Sequence, residues 1–331
     1  MNTPRSLHVG ISTIGCEVAK ACILRNHSTP SGAVDINPQL IGKSLADLVP
    51  GAAPDAIVYG SLDEAFAAGH WDVALLCTCS TVPAIRPDLD KLIAAGIDVI
   101  STCEELSNPR VQYPAVSEQL HAAAREAGVT VVGTGVNPGF ALDLLPALLT
   151  RPCVEVRHVR CARVVNTLLR RKQLQLKLGA GLELAEFAAL KDEGKIGHVG
   201  LLESAALVAR ALGWPAQLQQ TEHTLEPIVA REPVASEHVS VQPGQVLGAE
   251  ETITLSPGPG KSVQLRLRMS LGEPQQYDEV RVDGVPPLVA RIEGGIHGDS
   301  ASAGCTAGII APVMKAPAGL LTVLDLPIAT A

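Results

Sequence analysis

Three observations on this 331-residue chain predict an α/β protein: a doubly wound parallel sheet followed by a second α+β domain built on a largely antiparallel sheet. In the first half, short apolar runs alternate with stretches of helical length and pattern. From Gln219 to Arg291 apolar and polar residues alternate, with turn signals at Ser256-Pro257-Gly258-Pro259-Gly260 and Leu271-Gly272-Glu273-Pro274. A glycine-bearing turn, Gly10-Ile11-Ser12-Thr13-Ile14-Gly15, joins the first strand to the first helix.

Taken in order, Leu7 to Ile11 is a strand, Glu17 to Arg25 a helix and Ser31 to Ile36 a second strand. The helix Leu62 to Ala68 leads to the strand Val73 to Cys77, and the helix Asp88 to Ala95 to a strand through Val99-Ile100-Ser101-Thr102 that ends at Glu104. Val116 to Ala127 is helical, and Val129 to Gly133 is the last strand of this half. A helix beginning near Phe140 precedes the strand Val154 to Val165. Helices follow at Leu182 to Lys191 and Leu201 to Leu212, the latter closed by Gly213. After the alternating region the tail turns helical from Asp299 and ends on the apolar run Leu320 to Leu324. The expected division is a first domain at 1–137, a second at 138–298 and a C-terminal segment at 299–331 that returns to the first.

Composition excludes several classes. A net charge of −8 with 2% aromatic residues is unlike a nucleic-acid binder, which needs a basic face and stacking rings. The opening segment lacks the apolar core of a signal peptide, and no apolar run reaches the ~18–20 residues of a membrane span. The eight cysteines are scattered and none forms a CxxC pair, so neither a metal site nor a disulfide framework is expected. These features predict a soluble, cytoplasmic protein.

The turn Gly10 to Gly15 departs from G-x-G-x-x-G by carrying Ser12 at the middle glycine. Serine is the least bulky polar replacement where the backbone must approach a pyrophosphate, and the following helix offers free N–H groups to phosphate. The next strand ends near Asp35, the spacing at which an acid bonds the adenosine ribose and repels a 2′-phosphate. No arginine follows at once, so NAD is favoured, with Lys43 leaving room for NADP. The first domain is thus Rossmann-type, with Gly10, Ser12, Thr13, Ile14, Gly15 and Asp35 as its cofactor contacts. Thr78 and Ser80, in Cys77-Thr78-Cys79-Ser80, suit the cofactor ribose region, although a plain strand terminus explains them equally well. The pair Glu104-Glu105 stands at a strand's carboxyl end, where open α/β sheets bind ligands, and is placed for proton transfer.

Several segments resemble the 2,4-diaminopentanoate dehydrogenases and related amine dehydrogenases. They are Gly133-Thr134-Gly135-Val136-Asn137-Pro138-Gly139-Phe140, Arg163 to Asn166, Lys177 to Gly181, Gly194 to Leu201 and Gly294 to Asp299, and together they span nearly the whole chain. The paired histidines and K-x-D-x-P-S-G-T segment of dihydrodipicolinate reductases, which share the first domain, are absent. The resemblance implies reversible chemistry: an amine is oxidised by NAD(P)⁺ to an iminium, which water opens to a ketone and ammonia. It assigns the base to Glu104 and implies a homodimer through the antiparallel sheet; strand alternation, if the strand continues to the acid pair, turns Glu105 the other way, to a capping or pairing role.

Further assignments follow from the same resemblance. Asn137 is an orienting group for the reacting nitrogen, the alternative being an N-cap or turn residue. Arg163 is a substrate clamp or else half of an ion pair. Phe140 and His198 are substrate-facing, His198 having an equally ordinary structural reading, while Asp143 complements a helix dipole. His297 and Asp299 read as cleft-adjacent with a structural role, and Arg170-Arg171-Lys172 as an anionic site or a solvated face. A histidine that relatives carry after the turn matching Val246-Leu247-Gly248 is replaced by Ala249-Glu250-Glu251, which favours a plain amine over an α-amino acid. The alternatives are an NAD(P)H-dependent imine or carbonyl reductase that works without ammonia, and a non-catalytic dinucleotide-binding protein.

Overall fold

The computed structural model describes residues 3–215 and 221–328. By contacts the chain divides into two units, Met1–Phe140 with His297–Ala331, and Ala141–Ile296. The covalent crossings thus fall after Phe140 and after Ile296.

The first unit is built from β1 (Arg5–Val9), α1 (Thr13–Leu24), β2 (Thr29–Val34), α2 (Leu45–Leu48), β3 (Val58–Tyr59), α3 (Leu62–Ala68), β4 (Val73–Leu76), α4 (Val82–Ala94), β5 (Asp98–Ser101), α5 (Pro114–Ala127) and β6 (Thr130–Gly133). These strands pair in parallel. The order β3-β2-β1-β4-β5-β6 places the switch in winding direction between β1 and β4. In such a sheet the crevice beyond the carboxyl ends at the switch is the ligand site. The strands are short and continuously apolar because helices cover both faces. Leu7, Val9, Ala74, Leu76, Val99 and Val131 form one cluster with Ile85, Leu89 and Leu92 of α4 and Leu120 and Ala124 of α5.

Three boundaries differ from those the sequence predicts. Helix α4 begins at Val82 rather than near Asp88, because Pro83 suits a first helical turn and Pro87 is accommodated inside the helix. Strand β5 stops at Ser101, and Glu104–Ser107 is a 3₁₀ turn instead of the strand's end. The helix placed near Phe140 begins only at Leu144.

The second unit comprises α6 (Leu144–Leu149), β7 (Glu155–Asn166), α7 (Lys172–Lys177), α8 (Leu184–Asp192), α9 (Leu201–Ala211), β8 (Thr221–Val229), β9 (Val234–Ala235), β10 (Ser240–Val241), β11 (Val246–Gly258), β12 (Lys261–Ser270), β13 (Tyr277–Val285) and β14 (Leu288–Glu293). Its six-stranded sheet has the order β14-β13-β7-β12-β11-β8. All its pairings are antiparallel except β7 with β12, which run parallel because β7 inserts between β12 and β13. Gln219 and Gln220, the start of the predicted antiparallel stretch, lie outside the described residues. One face packs Val159, Cys161, Ile253, Val263 and Leu265 on Leu201, Ala205 and Val208 of α9.

Within the first unit the tail forms α10 (Gly298–Gly308), α11 (Ile310–Val313) and β15 (Gly319–Leu321). β15 adds in parallel to β6 and covers its edge. Arg110 Nη2 donates to the Leu320 carbonyl at 3.0 Å, and the Leu320 N–H donates to His121 Nδ1 at 3.2 Å.

His8 is the one ionisable side chain of β1 that the strand's period turns inward beside Ser6. Its Nε2 lies 3.1 Å from Ser6 Oγ, which in turn accepts from Ser28 Oγ at 3.0 Å. Burial lowers its pKa to about 3 from an ordinary value of 6.5. The unfolded chain therefore takes up the proton first. Stability is full above the unfolded value and is lost as pH falls from 6.5 toward 3. Urea unfolding should show the wild type losing about 2 kcal/mol between pH 7 and pH 5, and His8→Gln losing markedly less over the same interval.

Candidate active site

Gly10 ends β1 with φ +84°, and its N–H donates to the Val34 carbonyl at 2.8 Å. A Cβ there would fall 2.8 Å from the Cys77 carbonyl oxygen, and a Cβ at Gly15 would fall 1.9 Å from the Gly10 oxygen. Both glycines are fixed by backbone approaching backbone, so the turn and the first turn of α1 stay in contact. Ser12 is the N-cap of α1 in extended conformation, and its side chain makes no capping bond. The N–H groups that open any helix lack intrahelical partners, and here the local hydroxyl does not take them. Ser12 and Thr13 are exposed, Ile14 is half-buried and Gly15 is buried. This cradle fits a pyrophosphate: only the small Ser12 stands at the middle position, and the turn leads into the N–H groups and the positive end of a helix.

Asp35 follows β2 directly. Its carboxylate accepts from the Ile11 N–H at 2.9 Å and from the Asn37 N–H at 2.8 Å, so the acid also braces the glycine turn. Lys43 is exposed, and Ile36 beside the acid is 93% exposed. Beyond β4, Thr78 is exposed with its methyl against the space at Gly10, and Ser80 is half-buried.

The acid pair separates cleanly. Ser101 Oγ donates to the Leu76 carbonyl at 2.8 Å and accepts from the Cys103 N–H at 3.1 Å, which ends β5. The 3₁₀ turn that follows is closed by Ser107 Oγ donating to the Glu104 carbonyl at 2.7 Å. Glu105 is buried. One of its oxygens accepts from the Val82 N–H at 2.7 Å and the other from the Tyr113 hydroxyl at 3.1 Å. Val82 opens α4, whose own N-cap Thr81 makes no side-chain bond, so Glu105 caps that helix from another segment and sits at its positive end. Glu104 is half-buried, and its carboxylate has no hydrogen-bond or ion-pair partner among the described residues. The neighbouring Cys103 thiol is pushed up to about 12 by burial and stays protonated. A 3₁₀ turn, not strand alternation, sends the two acids in different directions.

Asn137 lies in a turn tied to the same strand ends. The Thr134 N–H donates to the Ser101 carbonyl at 2.8 Å, and a Cβ at Gly133 would lie 2.3 Å from the Leu106 carbonyl carbon. Gly139, at φ +125°, packs against Gly135 with room for no side chain. The Val136 N–H donates to Ser302 Oγ of α10 at 3.2 Å. Asn137 is half-buried, precedes a cis Pro138, and is not an N-cap, since Asp143 holds that position on α6. Phe140, also half-buried, is the last residue of the first unit. The sequence missed Ser302, which acts across 166 residues, and Tyr113, eight residues from Glu105 with no local pattern to mark it.

Within the second unit, Asp143 is buried as the cap of α6, accepting from the Leu144 N–H at 2.6 Å and from Ser204 Oγ at 2.8 Å. Arg163 is corrected here from substrate clamp to ion-pair partner. It is 5% exposed, its Nη1 lies 3.0 Å from Asp278 Oδ1, and its Nη2 donates to the Ile296 carbonyl at 2.6 Å. Asp278 in turn accepts from the Ile296 N–H at 2.7 Å, so both backbone polar groups of that residue are held by one buried pair. Asp278 was legible in principle. It shares a strand face with Val280 and Val282, as Arg163 does with Cys161 and Val165, and two charges facing a core need each other. His198 lies between Gly197 and Gly200, both at positive φ, and its N–H donates to Glu251 Oε2 at 2.7 Å. Glu251 also bonds His223 Nε2 at 2.9 Å. Lys172 of the basic run opens α7, and His297 caps α10.

Three comparisons place the chain among known proteins. The family model of the 2,4-diaminopentanoate dehydrogenase C-terminal domain matches residues 140–331. A 2,4-diaminopentanoate dehydrogenase of Acetoanaerobium sticklandii is 28% identical over 341 residues, covering 99% of this chain and 94% of that one. An amine dehydrogenase structure from Mycobacterium smegmatis superposes with a TM-score of 0.87 at 22% identity, covering 100% of this chain and 98% of that one. GenD2 from gentamicin A biosynthesis, in complex with NAD, shares the fold at a TM-score of 0.54 and 20% identity, over 88% of this chain and 73% of that one.

The two acids should differ in stability experiments. Glu105→Ala strands a buried helix N–H and a tyrosine hydroxyl and should lower unfolding free energy by about 1–3 kcal/mol in urea titration. Glu104→Ala should change it by less than about 0.5 kcal/mol.

Proposed function

The chain belongs to the 2,4-diaminopentanoate dehydrogenase family, and from that membership we propose that it is an NAD(P)-dependent oxidoreductase of CH–NH₂ groups that oxidatively deaminates an amine or diamino acid to a ketone and ammonia, reversibly. The observation that carries this reading is Glu104: a carboxylate with no partner among the described residues, at the carboxyl edge of a parallel sheet, with the single strand β4 between its own strand and that of the glycine cradle.

Gly10, Ser12, Thr13, Ile14 and Gly15 would hold the cofactor pyrophosphate, Asp35 the adenosine ribose, and Thr78 and Ser80 the neighbouring sugar. When bound, the nicotinamide supplies the hydride acceptor for deamination and the donor for the reverse reaction. Glu104 takes the proton from the substrate ammonium and releases it to solvent; ionised again, its charge stabilises the cationic iminium, and it then takes the proton of the attacking water. With no partner among the described residues, its lone pairs are available for those protons. Asn137 orients the reacting nitrogen and Phe140 contacts the substrate; in the second unit, His198 is the residue proposed to face a substrate. A plain amine suits the site better than an amino acid, because Arg163, the cation proposed to hold a carboxylate, is engaged by Asp278.

The enzyme is proposed to work in the cytoplasm, where its eight free thiols stay reduced. It is proposed to be a homodimer through the sheet face opposite α9, which carries Glu250, Arg266 and Arg268 in cross-strand ion pairs.

An amine-oxidation screen following NADH absorbance and ammonia release tests this function. Turnover should require an amine, and the reductive direction should require ammonium. Glu104→Gln should lower kcat by about 10²–10⁴-fold while NADH binding, read by fluorescence, stays at the wild-type value. Reduction of carbonyls without ammonium, or full activity of the variant, would overturn it. On the cofactor, NADH should support faster turnover than NADPH, and Asp35→Ala should narrow the gap. Because Asp35 also braces Ile11, the variant should gain little in absolute NADPH turnover.

A further inference from the structure

We propose that Ser302, in the C-terminal helix α10, is a positioning residue that acts through the Val136 amide to set Asn137; this rests on Asn137 being the orienting group. The Val136 N–H donates to Ser302 Oγ at 3.2 Å across 166 residues of sequence. The same oxygen would lie 3.7 Å from a Cβ at Gly135, so Ser302 sits on the Gly135-Val136 peptide, immediately before Asn137. The rest of the turn is already restrained. Thr134 is tied to Ser101, and Gly139 is packed on the Gly135 amide. Ser302 therefore restrains the segment between those two fixed points.

Its own anchorage gives the contact a purpose. Helix α10 is seated on α1: Arg25 Nη1 donates to the Gly304 carbonyl at 2.9 Å, and a Cβ at Gly308 would come within 2.9 Å of that nitrogen. Small residues along α10 (Gly304, Gly308) thus allow a guanidinium to lie against its backbone. Helix α1 begins at the glycine cradle. Through α10, the helix that receives the cofactor phosphates and the turn that carries Asn137 are held at a fixed separation, with Ser302 as the link at the Asn137 end. A serine in a helix commonly bonds its own preceding turn, whereas this hydroxyl accepts from a loop outside the helix.

The test combines amide hydrogen exchange with a double-mutant cycle. Ser302→Ala should speed exchange at Val136 at least about tenfold and lower kcat about tenfold or more, with the NADH dissociation constant and melting temperature unchanged. Ser302→Thr, which keeps the oxygen, should restore both. In an Asn137→Ala background, Ser302→Ala should cost no further kcat, since the route through Asn137 is already gone. Unchanged exchange at Val136, or a kcat loss that persists in full without Asn137, overturns the proposal. A wild-type protein that turns over no amine defeats the functional reading instead, and exchange at Val136 then still decides whether Ser302 holds the turn.

Discussion

One buried carboxylate organises the carboxyl edge of the first sheet. Glu105 takes the N–H that opens α4 and the hydroxyl of Tyr113, while its own N–H donates to Ser80. The end of β4, the start of α4, the 3₁₀ turn and the segment before α5 are joined at this point. An ionised group at a helix N-terminus is stabilised by the dipole and by a charge-assisted bond, which offsets its desolvation. With Glu105 committed, the 3₁₀ turn is fixed and Glu104 is left half-buried without a partner among the described residues. A committed acid and an uncommitted one can occupy adjacent positions only because the first is satisfied so completely.

The rest of the edge is assembled by backbone approach. Gly10 and Gly15 allow the cofactor turn to rest on itself, and Gly133 allows β6 to lie against the 3₁₀ turn at a distance that excludes any side chain. The strand ends of β1, β4, β5 and β6 thereby form one continuous piece. β15 covers the β6 edge, and α10 reaches back to the turn at Val136. In the second unit the buried Arg163–Asp278 pair plays a comparable part by holding the Ile296 peptide. Breaking such a pair by removing one partner leaves an uncompensated charge, whereas the intact pair fixes geometry more than it adds stability.

Much of the fold was legible in the sequence because its two periods are clean: short apolar strands between helices in the first half, and alternation in the second. What escaped was tertiary. Val99 to Thr102 reads as a strand that continues to Glu104, and only the Ser101 hydroxyl, turned to Leu76 and Cys103, ends it sooner. Two prolines hid the first turns of α4, although a first turn is where proline is tolerated. Alternation cannot reveal strand order, so the parallel β7–β12 pair was invisible. At the site, the glycine turn and the acid pair were marked by local motif, and Glu105 was assigned to capping or pairing for a reason that differs from the geometric one. Of the partners that fix the site's residues, Tyr113 lies only eight residues from Glu105 but beyond a single helical turn, while Asp278 and Ser302 lie more than a hundred residues from theirs, where no spacing rule reaches.

The central claim is that Glu104 and not Glu105 meets the reacting nitrogen. A crystal structure of the protein with NAD⁺ and a bound amine measures this directly. The amine nitrogen is expected within hydrogen-bond reach of the Glu104 carboxylate, about 2.6–3.2 Å or through one water, with Glu105 still bonded to Val82 and Tyr113. An amine nitrogen held by another group, with Glu104 out of reach, would contradict it.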